Sequence, residues 1–101
     1  MIAEIEYLRG NVIISDFMED LEIPIRCKYH SSWDWQVPAF GKIALAVKTL
    51  IPKLPNPEKH GRWYFRNLDK YEKSILNNEP SEGFKIIIEL LEWYNENKTK
   101  E

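Results

Sequence analysis

A chain of 101 residues, of which 44% are hydrophobic and 30% charged, has the size and composition of one folded domain, which excludes an intrinsically disordered protein. Cys27 is the single cysteine, so an intramolecular disulfide is excluded, and lysines interrupt the longest apolar stretch, which excludes a membrane span. With no export leader recognisable at Met1, we expect one soluble domain over 1–101, with 97–101 as a frayed tail, in a reducing cytosol.

The net charge of −2 is unevenly distributed along the chain. Residues 1–26 contain six acids and two bases, residues 48–73 contain seven bases and three acids, and residues 74–101 contain six acids and three bases. A basic middle of this kind can form a surface for an anionic partner. The alternative is that the acidic ends fold over the middle and neutralise it.

The N-terminal third alternates apolar and polar residues. Alternation over 2–15, interrupted by Arg9, Gly10 and Asn11, predicts a β-hairpin. A second alternating run predicts a strand over Ile25–Tyr29, with His30 on its solvent side. Between them, the segment DFMEDLE predicts a short helical turn capped by Asp16.

A long helix is predicted over 33–50. Ser31 or Ser32 suits its N-cap, and one apolar stripe with spacings of three and four residues follows: Trp33, Val37, Phe40, Ala44, Val47 and Ile51. Pro38 either kinks this helix or begins it, and we favour the kink.

Three prolines and Gly61 predict a loop over 51–61 that no regular element crosses. The aromatic segment RWYFR, residues 62–66, predicts a strand that turns Trp63 and Phe65 inward and the other three residues outward. Residues 67–77 fit either a helix or an edge strand, and we favour the helix.

The last element is a helix over 82–96, for which Ser81 is the expected cap. Its apolar positions are Phe84, Ile86, Ile87, Ile88, Leu90, Leu91, Trp93 and Tyr94. Only a narrow seam is polar: Lys85, Glu89, Glu92 and Glu96. So wide an apolar surface must be covered on more than one side, by the rest of the domain or by a second copy in a homodimer.

Together these elements predict an α+β fold in one compact domain. A small antiparallel sheet would combine the N-terminal hairpin with strands 25–29 and 62–66, and the helices 33–50 and 82–96 would cover it.

Two constellations are candidates for catalysis. His30, Asp34 and His60 are the residue types of a metal site, but no short-range ligand pair exists, so a small metal-dependent hydrolase is only an alternative and we expect no metal and no cofactor. A nucleophile formed by Cys27 and His30 is discarded, because alternation places the two side chains on opposite faces of a strand.

The better candidate is a binding surface. An outward Tyr64 between Arg62 and Arg66 resembles a stacking platform for single-stranded nucleic acid, and the same surface also suits an acidic protein. The alternative is an ordinary solvated strand face. Trp35 lies off the apolar stripe of its helix and is a second interface candidate, together with the unexplained His30.

Two blocks, YHSSWDWQVPAFGKI and LLEWYNENK, resemble small uncharacterised proteins from phages and prophages of Bacteroides-type bacteria. The matching positions are Tyr29, His30, Ser32, Trp33, Asp34, Trp35, Pro38, Lys42, Ile43, Trp93, Tyr94, Asn95 and Glu96. The resemblance implies a phage context in a bacterial host and no established activity. We therefore expect a cytoplasmic, non-enzymatic accessory protein whose partner is a host or phage protein, with nucleic acid as the alternative and no membrane.

Overall fold

The computed structural model describes residues 4–19 and 28–98, and all regular structure within these ranges is helical. The helices are α1 (Glu4–Met18), α2 (Trp33–Leu50), α3 (Pro57–Leu76) and α4 (Pro80–Asn97), and a 3₁₀ turn, Ile51–Lys53, follows α2. The predicted α+β fold is therefore wrong, because no strand occurs in the described ranges and the domain is a small helical bundle. No helix in these ranges combines the length and the apolar character needed to cross a membrane.

Helix α4 is the centre of the bundle and contacts α1, α2 and α3. Its buried apolar residues are Phe84, Ile86, Ile87, Leu90 and Leu91, whereas all four residues of its polar seam are exposed. The prediction of a widely covered helix is confirmed, but three helices provide the cover that we assigned partly to a sheet. This cover comes from one chain, so the observation that motivated a homodimer through α4 is explained without a second copy.

The ends of α4 differ slightly from the prediction. Glu79 is the N-cap and Pro80 occupies the first turn, where its missing N–H leaves no intrahelical hydrogen bond unmade. Ser81 is therefore inside the helix and is not its cap. At the other end α4 includes Asn97, and residues 99–101 of the predicted tail lie outside the described residues.

The predicted N-terminal hairpin is wrong, because α1 runs through it. Tyr7, Asn11, Ile14 and Met18 follow spacings of four, three and four, and this helical period places them on one side of α1. Gly10 lies on the same side, where a Cβ atom would overlap the ring of Phe84, so the glycine permits close packing of α1 on α4.

The predicted turn and strand after the hairpin fall largely outside the described residues. Asp16 does not cap a new turn, because it lies near the end of α1. Residues 20–27, which include Cys27 and most of the strand predicted over Ile25–Tyr29, are not described. Lys28 and Tyr29, the last two residues of that strand, lie in an irregular turn before α2, and the Tyr29 side chain is buried.

Helix α2 has the predicted bounds, and it runs through Pro38, so the alternative that Pro38 begins the helix is wrong. Ser32 is the N-cap by backbone conformation, although its hydroxyl makes no capping hydrogen bond. The buried face of α2 is rotated about the helix axis relative to the predicted apolar stripe. It consists of Gln36, Ala39, Ile43, Ala44, Val47 and Leu50. Val37, which we placed in the stripe, is 45% exposed.

Helix α3 replaces both the second half of the predicted loop and the predicted strand 62–66. Pro57 begins the helix at a position that tolerates proline, so the loop ends earlier than predicted. The preference for a helix over 67–77 is confirmed through Leu76. Asn78, with φ of 53°, then reverses the chain in a Schellman motif, in which the Asn78 N–H donates to the Ile75 carbonyl and the Glu79 N–H to the Ser74 carbonyl.

Two side chains attach the start of α2 to the turn between α3 and α4. The Gln36 Nε2 donates to the carbonyl oxygens of Tyr29, at 2.7 Å, and Pro80, at 2.8 Å. The Trp33 Nε1 donates to Asn78 Oδ1 at 2.9 Å. The Gln36 Oε1 lies against Gly83, where a Cβ atom would overlap it and would also come within 2.9 Å of Tyr71 Cε1.

We predict that Gly83→Ala destabilises the protein by about 1–3 kcal/mol, because the added methyl group displaces the Gln36 amide or the α4 backbone. Gly41→Ala is the matched control, since nothing lies within 4 Å of a Cβ atom there and alanine favours a helix over glycine by about 0.5–1 kcal/mol. Urea unfolding measures both changes. Equal effects of the two substitutions would contradict the close contact at Gly83.

Candidate functional site

The helical period of α3 brings three residues of RWYFR to one exposed face. Phe65 is three residues after Arg62 and adjacent to Arg66, and Arg62 and Arg66 are one helical turn apart. The Phe65 side chain is 66% exposed, and both arginines are exposed and form no ion pair with a described residue. We call Arg62, Phe65 and Arg66 the outer α3 face.

Tyr64 lies on the opposite side of α3 from the position that we predicted. It is 6% exposed, and burial raises the pKa of its hydroxyl above the ordinary value of 10.0. Its ring meets Phe65 edge-on at 5.6 Å between centroids. Tyr64 therefore cannot offer a free ring face to a base, and Phe65, which we predicted to be core, is the exposed ring.

Further cations extend the outer α3 face along the helix. Exposed basic residues recur at steps of three or four, over about 21 Å of helix. They are Lys59, Arg62, Arg66, Lys70 and Lys73. Lys73 pairs with Asp69 at 3.3 Å, but both side chains are well exposed and water screens the pair. A row of cations with acids beside it is therefore available to a partner.

Trp63, the remaining aromatic residue of RWYFR, joins α3 to α4 and is half-buried. Its ring lies 5.0 Å from that of Trp93, with 32° between the planes. His60, which also lies on α3, meets the Trp93 ring at 5.4 Å and nearly edge-on. Trp63 and His60 both contact Trp93, so these rings connect α3 to α4.

His30 packs against α1 and α4. Its ring stacks on Tyr7 at 4.4 Å and meets Phe84 edge-on at 6.0 Å. The Asn11 Nδ2 lies 3.3 Å from His30 Nδ1, a contact in which the unprotonated nitrogen accepts from the amide. Partial burial lowers the pKa of His30 below its ordinary value of 6.5. This environment favours a neutral ring that is held in the bundle.

The residues of the alternative metal site are not brought together. His30 contacts Phe84 and His60 contacts Trp93, and these two positions are nine residues, or about 13 Å, apart along α4. Asp34 is exposed in the first turn of α2. Among the described residues, no group of three or more histidine, cysteine, aspartate or glutamate side chains could hold a metal ion.

Trp35, our second interface candidate, is half-buried. Its ring meets Tyr29 edge-on, with centroids 5.2 Å apart, and it packs against the hydrophobic core. Because Trp35 is half-buried and Phe65 is 66% exposed, Trp35 is a weaker anchor for a partner than Phe65.

No protein-family model, curated protein or solved structure matches this chain.

Loss of His30 should weaken the pH dependence of stability. The folded protein binds the His30 proton less readily than the unfolded chain does, so the contribution of the neutral ring is present above pH 6.5 and is lost as the pH falls through the lowered folded-state pKa. His30→Phe keeps a ring between Tyr7 and Phe84 but cannot bind a proton. Urea unfolding at pH 7.5 and 5.5 should show that the wild type loses more stability than the variant, and equal losses would contradict this assignment.

Proposed function

We propose that this protein is a non-enzymatic binding protein that engages an acidic surface of another protein through the outer α3 face. The observation that carries the proposal is the exposed ring of Phe65 beside two exposed arginines that form no ion pair with a described residue. Aromatic residues and arginine are enriched in protein interfaces, where a buried ring excludes water and guanidinium groups bind carboxylates with two parallel hydrogen bonds.

Three features favour a protein over a nucleic acid as the partner. The net charge is −2, whereas domains that bind nucleic acids usually carry a strong positive charge. Three carboxylates, those of Glu58, Asp69 and Glu72, are exposed on α3 itself and would repel a phosphate backbone. Leu76 is 76% exposed three turns beyond Phe65, on the same side of the helix, and offers a second apolar contact that a protein surface can cover.

The setting that we propose is the cytoplasm of a bacterial host, where a small phage or prophage protein would bind a host or phage protein. The support is the resemblance of the YHSSWDWQVPAFGKI and LLEWYNENK blocks to phage proteins. The metal-dependent hydrolase lacks this kind of support, because His30 and His60 contact positions of α4 that are about 13 Å apart.

A partner is first captured from a lysate of the bacterial host with nuclease present, identified, and purified for a direct binding measurement. We predict that Arg62→Glu with Arg66→Glu weakens binding by about 30-fold or more, and that Phe65→Ala weakens it by about fivefold or more. All three side chains are exposed, so the free energy of unfolding should change by about 0.5 kcal/mol or less.

The matched control is Lys28→Glu with Lys48→Glu, which makes the same change in charge at two exposed lysines outside α3. It should bind the purified partner within about twofold of the wild type if local contacts at the outer α3 face determine affinity. Equal losses in both double variants would contradict the proposal. Capture that disappears with nuclease would assign the face to nucleic acid instead.

A further inference from the structure

We infer a second docking surface, for an acidic amphipathic helix of a partner protein, in the groove between α2 and the C-terminal end of α4. We call it the α2/α4 groove and define it by Lys42, Leu45, Leu50 and Tyr94. None of these residues belongs to α3, so this surface is independent of the proposed function.

The floor of the α2/α4 groove is apolar. Leu50 is buried beneath it, Tyr94 is half-buried at its side, and Leu45 stands 64% exposed at its edge. The cavity has a volume of about 360 Å³ and is open to solvent. Small-molecule sites usually enclose most of their ligand, whereas an open groove with an exposed leucine suits side chains presented by a helix.

The charged side chains that the described residues place along the α2/α4 groove are lysines. No carboxylate lines it among the described residues, and none of the described carboxylates pairs with Lys42. The segment 35–57, which supplies the α2 residues of the groove, contains no aspartate or glutamate. Lys98 adds a further cation, with its Nζ 5.8 Å from the Tyr94 ring centroid. A partner that covers Leu45 would therefore gain from carboxylates at its rim.

Two further grooves among the described residues carry both signs of charge. The groove between α1 and α4 is lined by Arg9 and Lys85 together with two glutamates, and the groove between α3 and α4 by three lysines together with three glutamates. Their own carboxylates would compete with those of an acidic partner. Only the α2/α4 groove, of the three, is complementary to an acidic helix.

The order of residues along α2 fixes the pattern that such a partner must carry. Lys42 and Leu45 are one turn apart, and Leu50 lies between one and two turns further on. A helix laid parallel to α2 therefore needs a glutamate followed, at steps of three or four residues, by leucines on the same face, and an antiparallel helix needs the reverse order. Leucines would cover Leu45 and Tyr94 while the glutamate meets Lys42.

A synthetic helical peptide with this pattern, one face carrying glutamates and leucines and the other alanine and glutamine, tests the inference by NMR titration of the full chain. We expect amide shifts concentrated at the α2/α4 groove and a Kd on the order of 0.1–1 mM, since exposed contacts of this size give weak binding. Lys42→Glu and Leu45→Glu should each weaken binding by about fivefold or more.

Lys48→Glu is the matched control, because Lys48 is exposed on α2 but does not line the groove, and it should bind within about twofold of the wild type. Arg62→Glu with Arg66→Glu should keep the groove shifts, which separates this inference from the proposed function. Dispersed amide spectra confirm that each variant is folded.

Three outcomes would overturn the inference. These are no binding by the wild type at several millimolar peptide, a loss in Lys48→Glu equal to that in Lys42→Glu, and groove shifts produced by sodium decanoate but not by the peptide. The last outcome would assign the groove to a small anionic amphiphile.

Discussion

The apolar surface of α4 is the constraint on which the rest of the bundle depends. Apart from its polar seam, this helix presents large aliphatic and aromatic side chains around most of its circumference, and no single neighbour can remove so wide a surface from water. Helices α1, α2 and α3 each contribute one buried face to it. The face of α3 that packs in the bundle also determines which face is exposed. Because Tyr64 and Tyr71 are buried, Arg62, Phe65 and Arg66 lie in solvent. The candidate binding face is thus a consequence of how the core is covered.

Apolar packing determines which helix faces contact each other, and the side-chain amide of Gln36 fixes the position of α2 along α4. The Gln36 side chain is fully buried, and its Nε2 joins the turn before α2 to the first turn of α4. Buried hydrogen bonds of this kind are costly to leave unmade, so the start of α2 cannot slide along α4 without losing them. Gly83 admits the Gln36 Oε1 at close range, and the stacked rings of Phe40 and Tyr71, 3.7 Å apart, continue the contact between α2 and α3. Both proposed binding surfaces therefore lie on helices that these contacts join to one another.

The elements that sequence predicted correctly are those with a long repeat of one period. Helices α2 and α4 offer 18 residues each, over which spacings of three and four cannot be mistaken for alternation. The strand predictions over α1 and α3 failed because they rested on short alternating runs, and the break at Arg9, Gly10 and Asn11 divided α1 into two such runs. In RWYFR, five residues satisfy a period of two as well as a helical turn, and aromatic content then favoured a strand. That single error exchanged Tyr64 and Phe65 between core and surface. The wider spacing of Lys59, Arg62, Arg66, Lys70 and Lys73 was the available signal for a helix. The burial of Gln36 had no such signal in the sequence. A polar residue is predicted to be exposed unless the groups that would hydrogen-bond to it in the core are known.

The most direct test is the measurement of Cα secondary chemical shifts across residues 57–76 of the full chain in solution. Helix α3 predicts positive shifts throughout, including 62–66, and the outer α3 face exists only if this segment is helical. Negative shifts over 62–66 would show a strand, would return Tyr64 to the solvent side, and would contradict both the bundle and the binding surface inferred from it.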